Sequence, residues 1–333
     1  MAVPDIPLQP FRWDDGDRVI RFGRGALADA PELAGEGYVL LTTPRGRDRV
    51  PELAERAAAV HDVPQGRVDE VAGELRGEVR GDTLLALGGG RVIDVAKALA
   101  AADAPRRVAA VPTTLSAAEM TRIHRHAAGV DAAIPRVRPQ VVVNDPALSA
   151  SQPEPGLAAS ALNSLAHAVE APLTVLANPA ATLVAHGAIR LLAGGFAAEE
   201  PDRDRLALGA LLAGWASDAA GYGLHHILSQ TLVRRTAIGH GAANAVMLPH
   251  TLRALGRRRP TEMGAMADAA GEDLAAIVAR LGTRAGPSRL RDHGVLAEQL
   301  AGCADAALER PDLQFIPPPP DRDELLALYE AAW

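Results

Sequence analysis

The stretch Thr83-Leu84-Leu85-Ala86-Leu87-Gly88-Gly89-Gly90-Arg91-Val92-Ile93-Asp94-Val95-Ala96-Lys97 decides the reading of the fold. Thr83 to Leu87 is a short, continuous apolar run, as in a strand buried on both faces of a parallel sheet. Three glycines break it, and Val92 to Ala102 then reads as a helix. Strand, glycine turn and helix in this order make a phosphate cradle. Glycines let the backbone approach a pyrophosphate, and the helix start offers free N–H groups and a positive dipole end. The same glycines would serve a plain tight turn. Asp94 and Lys97 sharpen the reading, because residues three apart share a helix face. Lys97 is the only lysine among 34 basic residues. The plainer reading of the pair is a local ion pair of about 0.2–0.5 kcal/mol.

Outward from this segment the first half alternates strands and helices. Tyr38 to Thr43 reads as a strand ending in a Pro44-Arg45-Gly46 turn, followed by a helical stretch from Val50 to His61. Arg107 to Val111, closed by Pro112, and Gln140 to Asn144, closed by Asp145-Pro146, read as further strands. Alternation of this kind implies a right-handed, largely parallel sheet. Beyond about residue 150 no strand candidate remains. Helical periods cover Leu157 to Leu176, Ala180 to Phe196, Arg203 to Ala220, Leu224 to Val233, Ala243 to Leu255, Pro260 to Ala269, Asp273 to Leu281, Ser288 to Asp292, Leu296 to Leu308 and Arg322 to Ala332. The expected fold is an α/β Rossmann-like domain over residues 1–150, which binds nucleotide, and an all-helical catalytic or substrate domain over 151–333. The Pro317–Pro320 run reads as a stiff connector.

Composition narrows the function. The 333 residues carry a formal charge of −7, which argues against general binding to nucleic acid or acidic membranes. With 48% hydrophobic and 23% charged residues the chain is ordinary for a globular protein. The single cysteine, Cys303, excludes an internal disulfide, a zinc ribbon or an iron–sulfur site. No apolar run approaches the ~18 residues of a membrane span, and Met1 to Arg18 does not read as a signal peptide. The expectation is a cytoplasmic enzyme with a small-molecule substrate that could carry carboxylates.

Several ordered motifs carry a resemblance. Gly88-Gly89-Gly90-x-x-x-Asp94-x-x-Lys97 resembles the glycine loop of the iron-containing alcohol dehydrogenase superfamily. Phe22-Gly23, Pro112-Thr113-Thr114 with Glu119-Met120-Thr121, and Asp145-Pro146 agree in order. So do Ala166 to Glu170, Gly223 to His226, His240-Gly241 with Asn244-Ala245, and Leu248-Pro249-His250. Asn163 to Ala171 and Gly223-Leu224-His225-His226 are most similar to the maleylacetate reductase branch. The resemblance implies the dehydroquinate synthase-like / iron-containing alcohol dehydrogenase-like fold and a homodimer. It also implies NADH or NADPH over the first domain's sheet, held by Gly88, Gly89, Gly90, Asp94, Lys97, Thr113 and Thr114, with substrate facing it from the helical domain. Asn163, His167, His226, Gln230 and His240 are the catalytic candidates.

Asn163 and His167 are four apart, so both reach one centre from a helix face. Asn163 stands where the metal-dependent branch has an Asp, and Gln230 where many relatives have another His. The expectation is therefore a degraded iron or zinc site that stands empty. Of the adjacent His225 and His226 only one can face a given site, and spacing to His240 favours His226. Arg91, Ala117-Ala118, Arg234-Arg235 and Gly239 also depart from the family pattern, and Thr42-Thr43 lacks the acidic residue that grips the adenosine ribose. The leading expectation is reduction of an oxo acid, enone or related small carbonyl. The alternatives are a repurposed enzyme with non-redox dehydratase or cyclase chemistry, and a non-catalytic paralogue.

Overall fold

The computed structural model describes residues 6–333, so part of the Met1–Arg18 reading falls outside it. The chain divides into two compact units, Pro7–Ser151 and a second built on Gln152–Trp333.

The first unit is a seven-stranded sheet: β1 (Phe11–Asp15), β2 (Arg18–Phe22), β3 (Val39–Thr42), β4 (Ala59–Asp62), β5 (Thr83–Gly88), β6 (Arg107–Pro112) and β7 (Val141–Asn144). The order is β1-β2-β7-β6-β5-β3-β4. All neighbours are parallel except β1 and β2, an antiparallel pair. The five helices are α1 (Ala30–Ala34), α2 (Pro44–Arg49), α3 (Pro51–Glu55), α4 (Val68–Leu75) and α5 (Gly90–Ala102). Alternate residues of β5 feed opposite faces. Leu84 and Ala86 pack with the α5 residues Ile93, Ala96 and Leu99, while Leu85 and Leu87 pack with Ala30, Ala34 and Leu53. A strand coated on both faces must be apolar throughout, which is why Thr83–Leu87 reads so plainly.

Two expectations need correction here. The stretch from Val50 to His61 is not one helix, because α3 stops at Glu55 and Ala59–Asp62 is the edge strand β4 beside β3. Pairing along the sheet edge overrides the helix propensity of the alanines. Pro44-Arg45-Gly46 opens α2, with the Thr43 hydroxyl accepting from the Gly46 N–H at 3.1 Å as its N-cap. The β1–β2 pair is also new. Its Arg/Asp-rich sequence hides a hairpin whose ends stack Phe11 on Phe22 at 5.2 Å between ring centroids.

The second unit is helical among the described residues, with α6 (Glu154–Glu170), α7 (Pro179–Gly194), α8 (Arg203–Ala220), α9 (Leu224–Arg235), α10 (His240–Arg258), α11 (Pro260–Ala270), α12 (Leu274–Ala285), α13 (Ala297–Leu308) and α14 (Arg322–Ala332). The expected helix at Ser288–Asp292 is a 3-10 turn, Leu290–His293, stopped by Gly294 in the left-handed conformation at φ 78°. Buried α6 packs against α7, α8, α9, α10 and α12. No helix is long and apolar enough to cross a membrane among the described residues.

Candidate active site

In the first unit the glycine loop works by closeness. Gly89 sits at φ −80°, so handedness does not demand glycine there. A Cβ on Gly89 would stand 3.1 Å from Thr114, and one on Gly90 3.0 Å from Ser116. The loop therefore lies flush against the Pro112–Ser116 segment, and the Thr113 N–H donates to the Gly88 carbonyl at 3.0 Å. No side chain caps α5, so the first-turn N–H groups stay available to an anion.

Lys97 is engaged by backbone carbonyls. It is fully buried, and its Nζ reaches the carbonyls of Ala118 at 2.8 Å, Thr121 at 3.1 Å and Ile123 at 2.8 Å. Asp94 completes the set at 2.8 Å. Arg18, also buried, donates to the Met120 carbonyl from β2. Two cations thus clamp the loop Ala118–Ile123. Between them lies Glu119, whose carboxylate oxygens have no hydrogen-bond partner beyond its own backbone N–H. Burial pushes the Glu119 carboxyl up to about 7, against the pull of Lys97 and Arg18.

In the second unit Asn163, His167 and Glu170 fall at i, i+4 and i+7 on α6, all buried. Glu170 meets the start of α9. Its carboxylate accepts the backbone N–H of Gly223 at 3.0 Å, that of His225, and that of His226 at 3.3 Å. Gly223 permits the approach, since a Cβ there would stand 3.1 Å from the carboxylate. The fourth contact is His226 Nδ1 at 2.7 Å. With a carboxylate facing Nδ1, that nitrogen carries the proton and Nε2 presents its lone pair. His226 Nε2 is buried and has no hydrogen-bond partner.

The His167 ring stacks on His226 at 3.8 Å between centroids and 23° between planes, and its Nδ1 lies 3.1 Å from Ser217 Oγ on α8. Burial, then the nearby His240, pushes the His226 imidazole down to about 3, so it is neutral at rest. Burial raises the Glu170 carboxyl, opposed by His225 and the backbone donors.

The helical half matches the model of the Fe-containing alcohol dehydrogenase family, C-terminal, over residues 157–333. The chain belongs to that family. It is 30% identical to a maleylacetate reductase of Rhizobium sp. over 98% of both chains, and 34% identical to maleylacetate reductase 2 of Cupriavidus pinatubonensis over 75% of each. Among solved structures, the maleylacetate reductase of Agrobacterium tumefaciens superposes with a TM-score of 0.83 at 28% identity over 98% of both chains. The iron-containing alcohol dehydrogenase of Corynebacterium glutamicum gives 0.79 at 30% identity over 94% of each. As a family member resembling maleylacetate reductases, the chain is an NAD(P)-dependent oxidoreductase.

Within this family frame the structure sorts the sequence candidates. His167 and His226 meet directly, Asn163 lies one turn before His167, and exposed His240 opens α10 close enough for its charge to act on His226. Gln230 is drawn aside, accepting from Arg310 Nη2 at 3.0 Å. His225 turns the other way, bonding Asn244 at 2.9 Å and Thr251 at 3.1 Å. Sequence reasoning passed over Glu170, Ser217, Tyr222 and Arg310. Glu170 stood inside a quoted motif, and a buried acid seven residues after Asn163 was the one available signal.

Proposed function

We propose that the chain reduces the carbonyl or enone of a small oxo acid, with maleylacetate, the substrate named for its relatives, as the first compound to test. The observation that carries this reading is His226 Nε2, buried and unpartnered while Glu170 fixes Nδ1. A bound nicotinamide nucleotide supplies the hydride. The residues of the first unit fit such a group: Gly88–Gly90 let the backbone pack closely where a Cβ would meet Val92, Thr114 or Ser116, the uncapped α5 start would receive phosphate oxygens, and Thr113 and Thr114 wall the loop. Lys97 and Asp94 support the reading indirectly, by fixing the neighbouring loop. Thr42 donates to the Leu87 carbonyl at 2.9 Å and Thr43 caps α2, so no carboxylate at these two positions repels a 2′-phosphate.

His226 Nε2 accepts the proton of a substrate hydroxyl in the oxidative direction; in the reductive direction the neutral ring first takes a proton from solvent at Nε2 and then donates it to the substrate oxygen as hydride arrives. Glu170 stabilises the imidazolium formed between the two steps, and Ser217 holds His167 beside it. An iron or zinc ion does not fit this donor set. The donors at hand, Asn163, His167, His226 and His240, are all neutral, so none offsets the charge of a divalent cation. The reading therefore assigns the proton chemistry to imidazole.

Titration of the purified protein with NADH and NADPH, followed by fluorescence, tests the cofactor half. Saturable binding of either nucleotide that Gly89→Asp abolishes is the expected result. Binding unchanged in Gly89→Asp would make the loop a mere turn. EDTA should leave NAD(P)H-dependent reduction of maleylacetate intact, and loss of turnover restored by iron or zinc would overturn the metal-independent reading.

A further inference from the structure

Arg310, between α13 and the turn Pro311–Phe315 that packs on α9, contacts Tyr222, whose ring neighbours His226. Its Nη2 donates to Asp312 at 2.8 Å, Gln230 at 3.0 Å and the Tyr222 hydroxyl at 3.3 Å. The Tyr222 ring lies 5.8 Å from His226, and Gln230 is one turn beyond His226 on α9. The Arg310 side chain is only 11% exposed, yet its Nη1 has no hydrogen-bond partner. A strut tying the turn to α9 would account for the three contacts of Nη2 and leave Nη1 unexplained. A buried guanidinium N–H without an acceptor is costly, and the cost disappears when an acceptor arrives with the ligand. The planar N–H edge of a guanidinium matches a carboxylate.

We propose that Arg310 is a specificity-determining residue: it receives a carboxylate of the substrate beside His226, with Gln230 and Tyr222 holding the guanidinium in place. Asp312 is the group the substrate carboxylate competes with for Arg310. This inference rests on the reductase reading for the identity of the occupant, but the anion site itself can be measured without turnover.

The test is calorimetric titration of maleate, and of maleamide as its uncharged counterpart, into the wild-type protein, Arg310→Gln and Asp312→Asn. NADH and NADPH fluorescence titrations run in parallel. Maleate should bind the wild type, maleamide should not, and Arg310→Gln should weaken maleate by about tenfold or more, the effect of losing a charged hydrogen bond. Nucleotide affinity should be unchanged in both variants. Asp312→Asn, which keeps Arg310 and removes its competitor, should tighten maleate binding, and it decides the matter if Arg310→Gln does not fold. Equal maleate affinity in Arg310→Gln, equal binding of maleamide, or weaker binding in Asp312→Asn would overturn the proposal. Failure of the reductase reading would show separately, as absence of nucleotide binding while maleate discrimination persists.

Discussion

The loop Ala118–Ile123 in the first unit and the turn Gly223–His226 in the second solve one problem with opposite charges. In the first, buried cations gather carbonyl oxygens, and the carboxyl of Glu119 is left without a donor from any other residue. In the second, a buried carboxylate gathers backbone N–H groups, and the group left over is the Nε2 of His226. A buried charge is tolerated when its partners are fully supplied, and costly when one is taken away. The difference teaches where chemistry resides. Lys97, singled out as the sole lysine, spends itself on loop carbonyls, whereas Glu170 leaves a neutral, oriented imidazole with a free lone pair.

Breaking either device should be expensive, and the larger loss belongs to the cation side. Lys97→Met takes the buried donor away from three carbonyls and the ion-pair partner from Asp94, so a loss of about 3–5 kcal/mol is expected in urea denaturation. Nucleotide binding should weaken with it, because Lys97 fixes the loop next to Ser116, which abuts Gly90. A variant of wild-type stability would mean the clamp does not hold the loop.

The two orphan groups titrate in opposite senses. The Glu119 carboxyl is raised from 4.5 to about 7 in the folded chain, so the stability it contributes is full below about 4.5 and is lost as pH rises to about 7. Buried His225 and His226 are both lowered to about 3, so their contribution is full above about 6.5 and lost as pH falls. Comparing wild type with Glu119→Gln isolates the first. Wild type should gain about 2 kcal/mol on the variant between pH 7.5 and pH 5 in urea denaturation. A gap independent of pH would show that Glu119 is ionised throughout.

The smallest expected effect lies beside the clamp. Ala117 is held at φ 61°, a left-handed conformation that costs a residue with a Cβ about 1 kcal/mol. Ala117→Gly should raise stability by about 0.5–1 kcal/mol, and a thermal melt showing destabilisation would contradict this.

Legibility in the sequence followed the range of the interactions. The buried strand β5 and the helix α14 were plain, because every residue in them obeys a local period. The strand β4 and the β1–β2 hairpin were not, since short edge strands owe their form to a neighbour in the sheet. The histidine motifs marked His167 and His226, but the acid orienting His226 lies 56 residues away, and Arg310 lies 80 residues from Gln230. No local pattern announces such partners, nor that the acceptors of Lys97 lie 21 to 26 residues on.

The central claim is that the Glu170–His226 pair carries the proton chemistry of an NAD(P)-dependent reduction. Steady-state turnover of His226→Ala with NAD(P)H and maleylacetate, beside His293→Ala as a control outside the site, tests it most directly. The account predicts a loss of about a hundredfold or more in His226→Ala with nucleotide affinity unchanged, and His293→Ala near wild type. Full turnover in His226→Ala would contradict it.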